Sequence, residues 1–532
     1  MATTLPTTTE DPTSVALAAL ESRVTTLETV HPTSLDTLLL ILSGCLIMTM
    51  QAGFAMLEIG SIKVRNVNHI LLNNVMDVCI GSAAYFFWGY AVSFGPTSSG
   101  FLGGDHYALR HFESDDALTW VFFQYSFAAT ATAIVSGAMV GRTHLLAYMC
   151  YSFVITGLIY PTVVHWAWSG EGWLNSETGY AYQDFAGSGV VHLCGGTAAL
   201  IGAIVLGRRK IVKEDEESIP PSAPALVTLG FFILLVGFFA FNGSSQGAMS
   251  SDGDAGAVAR AVMNTGLSCS AGGIVSILVV RYVKKEEDSY ATLCLTVNGC
   301  LGGTVSICAS ANVCTTYGAL LIGATGAVAC LAWSDGLKRW TPVQDPVDAT
   351  AVHAASGLWG VICVCFMDKD NGIFYTSDQP SAWYHLGENL LGAVAIVAYT
   401  VATTAVLSKI KLSFYYPSGL DLVGILRSKE EIDEHHQAEV EVAEEMKRRA
   451  SMMPPSRRLS FMPSLGSRSS HLTKAPSIKV VPEEPSSPEA ATPSPAPKTG
   501  GQAPSGQEPS TGQAPPAEIP TLRRLPPIEP PV

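Results

Sequence analysis

The chain has 532 residues, of which 48% are hydrophobic and only 14% are Asp, Glu, Lys or Arg, against the roughly 25% charged residues usual in soluble domains. Its formal net charge of -14, much of it in short connections and in a Glu-rich stretch near 430–445, disfavours nucleic-acid binding. These proportions exclude a string of ordinary soluble domains and identify a membrane protein.

In chain order, residues 1–34 form an extracellular segment. No basic stretch followed by an apolar core opens it, so a cleaved signal peptide is not expected. Leu17, Leu20, Val24 and Leu27 repeat at spacings of three, four and three, which reads as a short helix packed on the outer surface or against a neighbouring subunit. Apolar runs of the ~20 residues needed to cross a bilayer then follow near 35–58, 70–95, 117–140, 143–168, 185–206, 224–245, 257–280, 290–310, 313–334, 349–366 and 386–408. The fold class is therefore an all-α polytopic membrane protein with eleven transmembrane helices occupying 35–408. Stretches of Gly, Ala, Ser and Thr, as from Ala128 to Gly141 and from Cys269 to Gly273, let those helices approach closely.

Alternate connections, starting after the first run, carry Lys63, Arg65, Arg142, Arg208, Arg209, Lys210, Lys213, Arg281, Lys284, Lys285, Lys338 and Arg339; the intervening ones carry only Arg110 and Lys369. The basic set belongs in the cytoplasm, which puts the N-terminus outside and the C-terminus inside. All 12 Cys lie in or beside apolar runs, so neither a disulfide framework nor a metal site is implied. Residues 409–453 read as a partly helical cytoplasmic region. From 454 to 532 the chain holds 19 Pro among its 79 residues, a disordered composition that cannot bury a core. Ser451 and Ser460 each follow a pair of arginines by two residues, a pattern read by basophilic kinases, and are candidate regulatory phosphosites for a cytosolic kinase or regulator acting on the tail.

Ionisable residues inside spans are the first functional suspects, since the bilayer centre penalises them by ~2.5 kcal/mol or more. His192 lies eight residues after Asp184, and His353 eight residues after Asp345, opening the fifth and the tenth runs. Five crossings separate them, so equivalent helices run in opposite directions: a 5+5 inverted repeat, whose pathway lies between the halves near the midplane. The two histidines then face each other from opposite sides of a pore. One histidine alone would read as a satisfied core residue; two at matching positions read as a pair. Asp184 reads first as a helix cap, with its charge also favouring cations at the outer mouth. Asp345 and Asp348 read as helix-start residues, and Asp77 and Glu58 as packing anchors.

The segment Asp184 to Arg209, together with Q-A-G-F-A-M-L-E-I-G-S-I-K-V-R-N from Gln51, F-Q-Y-S-F-A from Phe123, V-H-W-A-W from Val164, G-F-F-A-F-N-G-S-S from Gly237 and the His353 segment, resembles the Amt/Mep/Rh ammonium transporter family, Amt branch, over about 35–425. The resemblance implies a homotrimer in the plasma membrane with one hydrophobic pore per subunit and no cofactor. It implies recruitment of ammonium at Trp168 and Ser245, supported by Asp184; a gate of Phe127 and Phe241; and a proton relay at His192 and His353. Phe238 stands where many members carry a second Trp near the vestibule, and Tyr416 where many have an acidic residue before the Gly-Leu-Asp turn at Gly419.

Such a site selects ammonium by its N–H donors and its removable proton. An aromatic face attracts any small cation by ~0.5–2 kcal/mol, but a dry pore penalises an intact ion by up to tens of kcal/mol. Ammonia can cross after deprotonation, whereas potassium has no proton to shed. Two rival readings keep the scaffold and change its role. One is an ammonium sensor signalling through its tail, the other a neutral-gas channel as in the Rh branch. A membrane enzyme is the remote alternative, since neither a nucleophile elbow nor a metal motif occurs.

Overall fold

The computed structural model describes residues 12–25, 31–62, 67–97, 99–111, 115–141, 143, 145–175, 182–207, 224–377 and 379–409. The expectations for the tail, Ser451 and Ser460 among them, lie outside the described residues. An N-terminal helix, Pro12–Thr25, leaves Leu17, Leu20 and Val24 exposed; Leu27, the fourth member of that stripe, is not among the described residues.

Among the described residues, eleven helices are long and apolar enough to cross a bilayer: Thr33–Gly60, Val67–Phe94, Ala117–Met139, Leu145–Trp168, Ser188–Leu206, Pro224–Ser244, Asp254–Lys284, Ser289–Ser310, Thr316–Trp340, Thr350–Met367 and Pro380–Ser408, here spans 1 to 11. Strands are absent from the described residues. Two boundaries differ instructively from the apolar runs. Span 9 continues past 334 to Trp340 because Lys338, in its last turn, donates to Ser334 Oγ at 2.8 Å and to Asp348 Oδ2 at 3.1 Å, so the charge that ends the apolar run does not end the helix. Span 11 begins at Pro380 rather than 386, with proline in the first turn where no N–H is needed.

The packing pattern repeats with a shift of five. Spans 1, 2 and 3 pack as spans 6, 7 and 8 do: 1 against 3 as 6 against 8, and 2 against 3 as 7 against 8. Span 2 likewise meets span 4 as span 7 meets span 9, and span 3 meets span 5 as span 8 meets span 10. Spans 1 and 6 then pair across the halves, and so do the opening turns of spans 5 and 10. Hydroxyls help where small residues bring backbones together: Ser268 Oγ donates to Gly303 O at 2.8 Å and Ser276 Oγ to Leu295 O at 2.8 Å, joining spans 7 and 8. Spans 3 and 10 are largely buried, whereas spans 6 and 11 turn apolar faces outward, Phe232 and Val394 among them, as a lipid-facing surface requires.

Candidate functional site

The opening turns of spans 5 and 10 carry the two central histidines, and both turns are wound as π-helix, Ser188–Leu193 and Thr350–Ala355. A π turn inserts one residue into the helical register, a distortion found mostly at functional sites. Each is built the same way. A buried aspartate eight residues before the histidine caps the turn. Asp184 accepts from the backbone N–H of Gly187 (3.1 Å), Gly189 (2.7 Å) and Val190 (2.8 Å), and Asp345 accepts from those of Ala349 (3.0 Å) and Thr350 (2.7 Å). A left-handed residue stands five before each histidine: Gly187 at φ 95° and Asp348 at φ 55°. Asp348 is held there by Ser334 Oγ at 2.8 Å, Asn298 Nδ2 at 3.2 Å and Lys338.

A glycine four residues after each histidine completes the device. A Cβ on Gly196 would sit 2.3 Å from the N of Ala354, and one on Gly357 would sit 2.4 Å from the O of Ser188. Each span therefore presses a bare backbone against the other's histidine turn, and any side chain there would hold the turns apart. The result is that His192 and His353, both buried, meet with their Nδ1 atoms 3.1 Å apart and their rings inclined by only 19°. A hydrogen bond between two Nδ1 atoms needs one of them protonated and the other bare, so the pair holds a single proton between the rings. His192 Nε2 is buried with no protein partner.

Aromatic rings extend this pair into a series of contacts. Trp168 lies edge-on to Phe127 at 5.9 Å between centroids; Phe127 lies over Phe241 at 4.2 Å; Phe241 is 5.6 Å from His192; and on the far side His353 is 6.1 Å from Phe54. Trp168, at the end of span 4, is fixed by its indole N–H donating to Asp184 O at 2.8 Å. Ser245, just past span 6, donates its hydroxyl to Phe241 O at 2.8 Å, which leaves the oxygen's lone pairs available to an incoming donor. Asp184 itself is taken up by backbone N–H groups, and burial pushes its carboxyl up to about 6. At the other end, Phe54, Phe238, His353 and Glu58 border a small chamber of about 20 Å³, and Leu57, Asn298 and Val347 line both it and a larger cavity that includes Lys338 and Asp348.

The seven residues singled out from the sequence, Trp168, Ser245, Asp184, Phe127, Phe241, His192 and His353, are thus joined by a series of pairwise contacts. Phe238, expected near the vestibule, instead stacks on His192 at 5.6 Å, only 1% exposed, on the chamber side. Being three residues before Phe241 on span 6, it lies almost one helical turn deeper.

The model of the Ammonium Transporter Family matches residues 38–437. The chain belongs to that family. Among curated proteins, a putative ammonium transporter 1 of Caenorhabditis elegans is 34% identical over 431 residues, covering 78% of this chain and 79% of that protein. A putative ammonium transporter of Synechocystis is 35% identical over 428 residues, covering 77% and 90%. Among solved structures, a protein described as a sensor Amt protein matches with a TM-score of 0.65 and 27% identity over 71% of this chain and 94% of that one. Within this ammonium transporter family member, the residues that sequence reasoning missed are Gly196 and Gly357. Their signal was present in the chain: the second motif, read as Asp, seven residues, His, three residues, Gly, repeats the first in full.

Proposed function

We propose that this multi-pass ammonium transporter works as a homotrimer in the plasma membrane, each subunit recruiting ammonium at the mouth formed by Trp168 and Ser245, removing its proton, and conducting ammonia through the twin-histidine centre. The observation that carries this reading is the shared Nδ1 to Nδ1 bond between His192 and His353 at 3.1 Å, buried in that series of ring contacts. Trp168 offers a cation its face, and Ser245 accepts hydrogen bonds from ammonium, with the potential of Asp184 behind them. Phe127 and Phe241, in contact at the mouth side of His192, act as the gate that keeps water and intact ions out. Desolvation makes the charged species costly beyond that gate, so the proton is surrendered to the histidine pair and neutral ammonia passes. The test is ammonium uptake and current in reconstituted vesicles for the native protein, His192→Ala and His353→Ala. Loss of saturation or of selectivity over potassium is expected in both variants, and native behaviour in both would remove the mechanism.

The likeness to the sensor Amt protein favours a second reading, in which the region after 409 signals ammonium to cytosolic partners. Deleting residues after 430 would then abolish signalling while uptake persists. In either reading Ser451 and Ser460 are the tail sites at which a kinase would act, and phosphomimetic substitutions there should change uptake.

A further inference from the structure

We infer that Glu58 is the proton-exchanging group of the chamber beyond the histidine pair, receiving the proton from His353 and returning it to ammonia before release. The inference rests on the twin-histidine reading and adds to it the route of the proton.

Glu58 lies in span 1 and is 2% exposed, a placement that the membrane interior penalises. Its oxygens accept from Ser136 Oγ of span 3 and, at 3.2 Å, from Asn74 Nδ2 of span 2. A carboxylate has about four lone-pair sites, so two donors leave acceptor capacity unused. The same side chain borders the chamber that His353, Phe54 and Phe238 close off at the other end. Gly137 lies between it and the segment leading to His353: a Cβ there would be 3.8 Å from Glu58 Oε1 and 2.8 Å from Val347 Cγ2. No Lys or Arg among the described residues pairs with it, because Lys338 is bound to Asp348 and Lys284 to Asp335.

A second buried carboxyl supplies the contrast. Asp77 of span 2 accepts from Tyr148 Oη but does not border the chamber, which is what a packing anchor looks like. The titratable groups near Glu58 are Asp77 and Tyr148 from spans 2 and 4, and His353 of span 10, which borders the same chamber. Among the described residues, His353 and Glu58 are the two titratable groups that line the small chamber beside the histidine pair.

The step balances without another reactant. Ammonium loses a proton to the histidine pair, His353 passes it to the Glu58 carboxylate, and an O–H bond forms. Ammonia entering the chamber takes that hydrogen with its lone pair; the O–H bond breaks, an N–H bond forms, and carboxylate and ammonium are regenerated. One positive charge crosses with each ammonia.

The experiment compares native protein, Glu58→Gln, Glu58→Asp and Ser136→Ala in vesicles, reading ammonium-evoked current together with its dependence on the pH of the chamber side. Expected are a native current, at least a tenfold loss in Glu58→Gln, partial retention with a displaced pH profile in Glu58→Asp, and a displaced profile also in Ser136→Ala, which removes a donor to the carboxylate. A Glu58→Gln current and profile that superimpose on the native ones overturn the inference, as does native ammonia flux without current. If Glu58→Gln does not yield folded protein, an unshifted profile in Glu58→Asp overturns it equally. A native protein that moves no ammonium above empty vesicles would instead strike the transport reading itself.

Discussion

Gly196 and Gly357 stand in each other's repeat positions, each four residues beyond a histidine and each pressed on the backbone that carries the other histidine. This reciprocity sets the spacing of the imidazoles, because the two turns can approach only as far as what stands on those glycines allows.

Replacing either glycine by alanine is therefore expected to act on the histidine pair without touching it. A Cβ at 2.3 Å or 2.4 Å from backbone atoms must push a whole turn aside, an overpacking that costs typically 1–3 kcal/mol. Gly196→Ala and Gly357→Ala should each lower the melting temperature of the detergent-purified protein and reduce uptake by an order of magnitude. Gly207→Ala, where a Cβ has no neighbour within 4 Å but φ is 69°, is the control for local backbone strain alone. Uptake that fell no further in Gly196→Ala than in the control would count against the spacing argument.

Much of this was legible in the chain. Eleven apolar runs gave the spans because a bilayer demands length and apolarity from each helix separately, and the doubled Asp-to-His interval gave the repeat because symmetry copies spacing. The π winding of the two histidine turns was not legible, since it depends on which backbone N–H the capping aspartate reaches. Phe238 was misplaced for a related reason: facing on a helix that is apolar all round cannot be read from composition, and span 6 has no polar face to orient it. Glu58 was read as an anchor because its chamber is made by residues from spans 1, 3, 6, 8 and 10 at once.

Ser245, in the recruiting site proposed above, keeps its lone pairs free because its hydroxyl hydrogen goes to Phe241 O. Losing one such acceptor should weaken ammonium binding by about 1 kcal/mol, roughly fivefold in half-saturation. Ser245→Ala is expected to raise half-saturation by that factor with little change in maximal rate, and Ser245→Thr to restore it. Concentration series in vesicles decide the matter: a half-saturation equal to native in Ser245→Ala would take Ser245 out of the recruiting site.

The two capping aspartates make stability depend on pH in an unusual direction. Burial pushes Asp184 and Asp345 up to about 6 from the ordinary 3.8, against the backbone N–H groups that pull them down. Because the folded value lies above the unfolded one, their contribution to stability is fully present below 3.8 and is lost as pH rises through about 6. The melting temperature in detergent should therefore fall between about pH 4 and pH 6 and level off above that, and the fall should shrink in the double variant Asp184→Asn, Asp345→Asn. A double variant with the full native fall would show that other groups set the slope.

Asp348 gives the last prediction, because its backbone and side chain pull in opposite senses. At φ 55° it occupies the left-handed region, where a non-glycine residue costs roughly 1 kcal/mol and Asp or Asn is tolerated best. Its carboxylate meanwhile gathers Ser334, Asn298 and Lys338, tying spans 8 and 9 to the turn that carries His353. Asp348→Gly relieves the backbone but strands those three donors; Asp348→Asn keeps the conformation and one acceptor oxygen; Asp348→Ala loses on both counts. If the side-chain tie dominates, at about 1–3 kcal/mol for donors left without a partner, thermal stability should rank native above Asn, Asn above Gly, and Gly above Ala. A glycine variant more stable than native would mean instead that the strained turn governs, and that the position of His353 is set by the backbone alone.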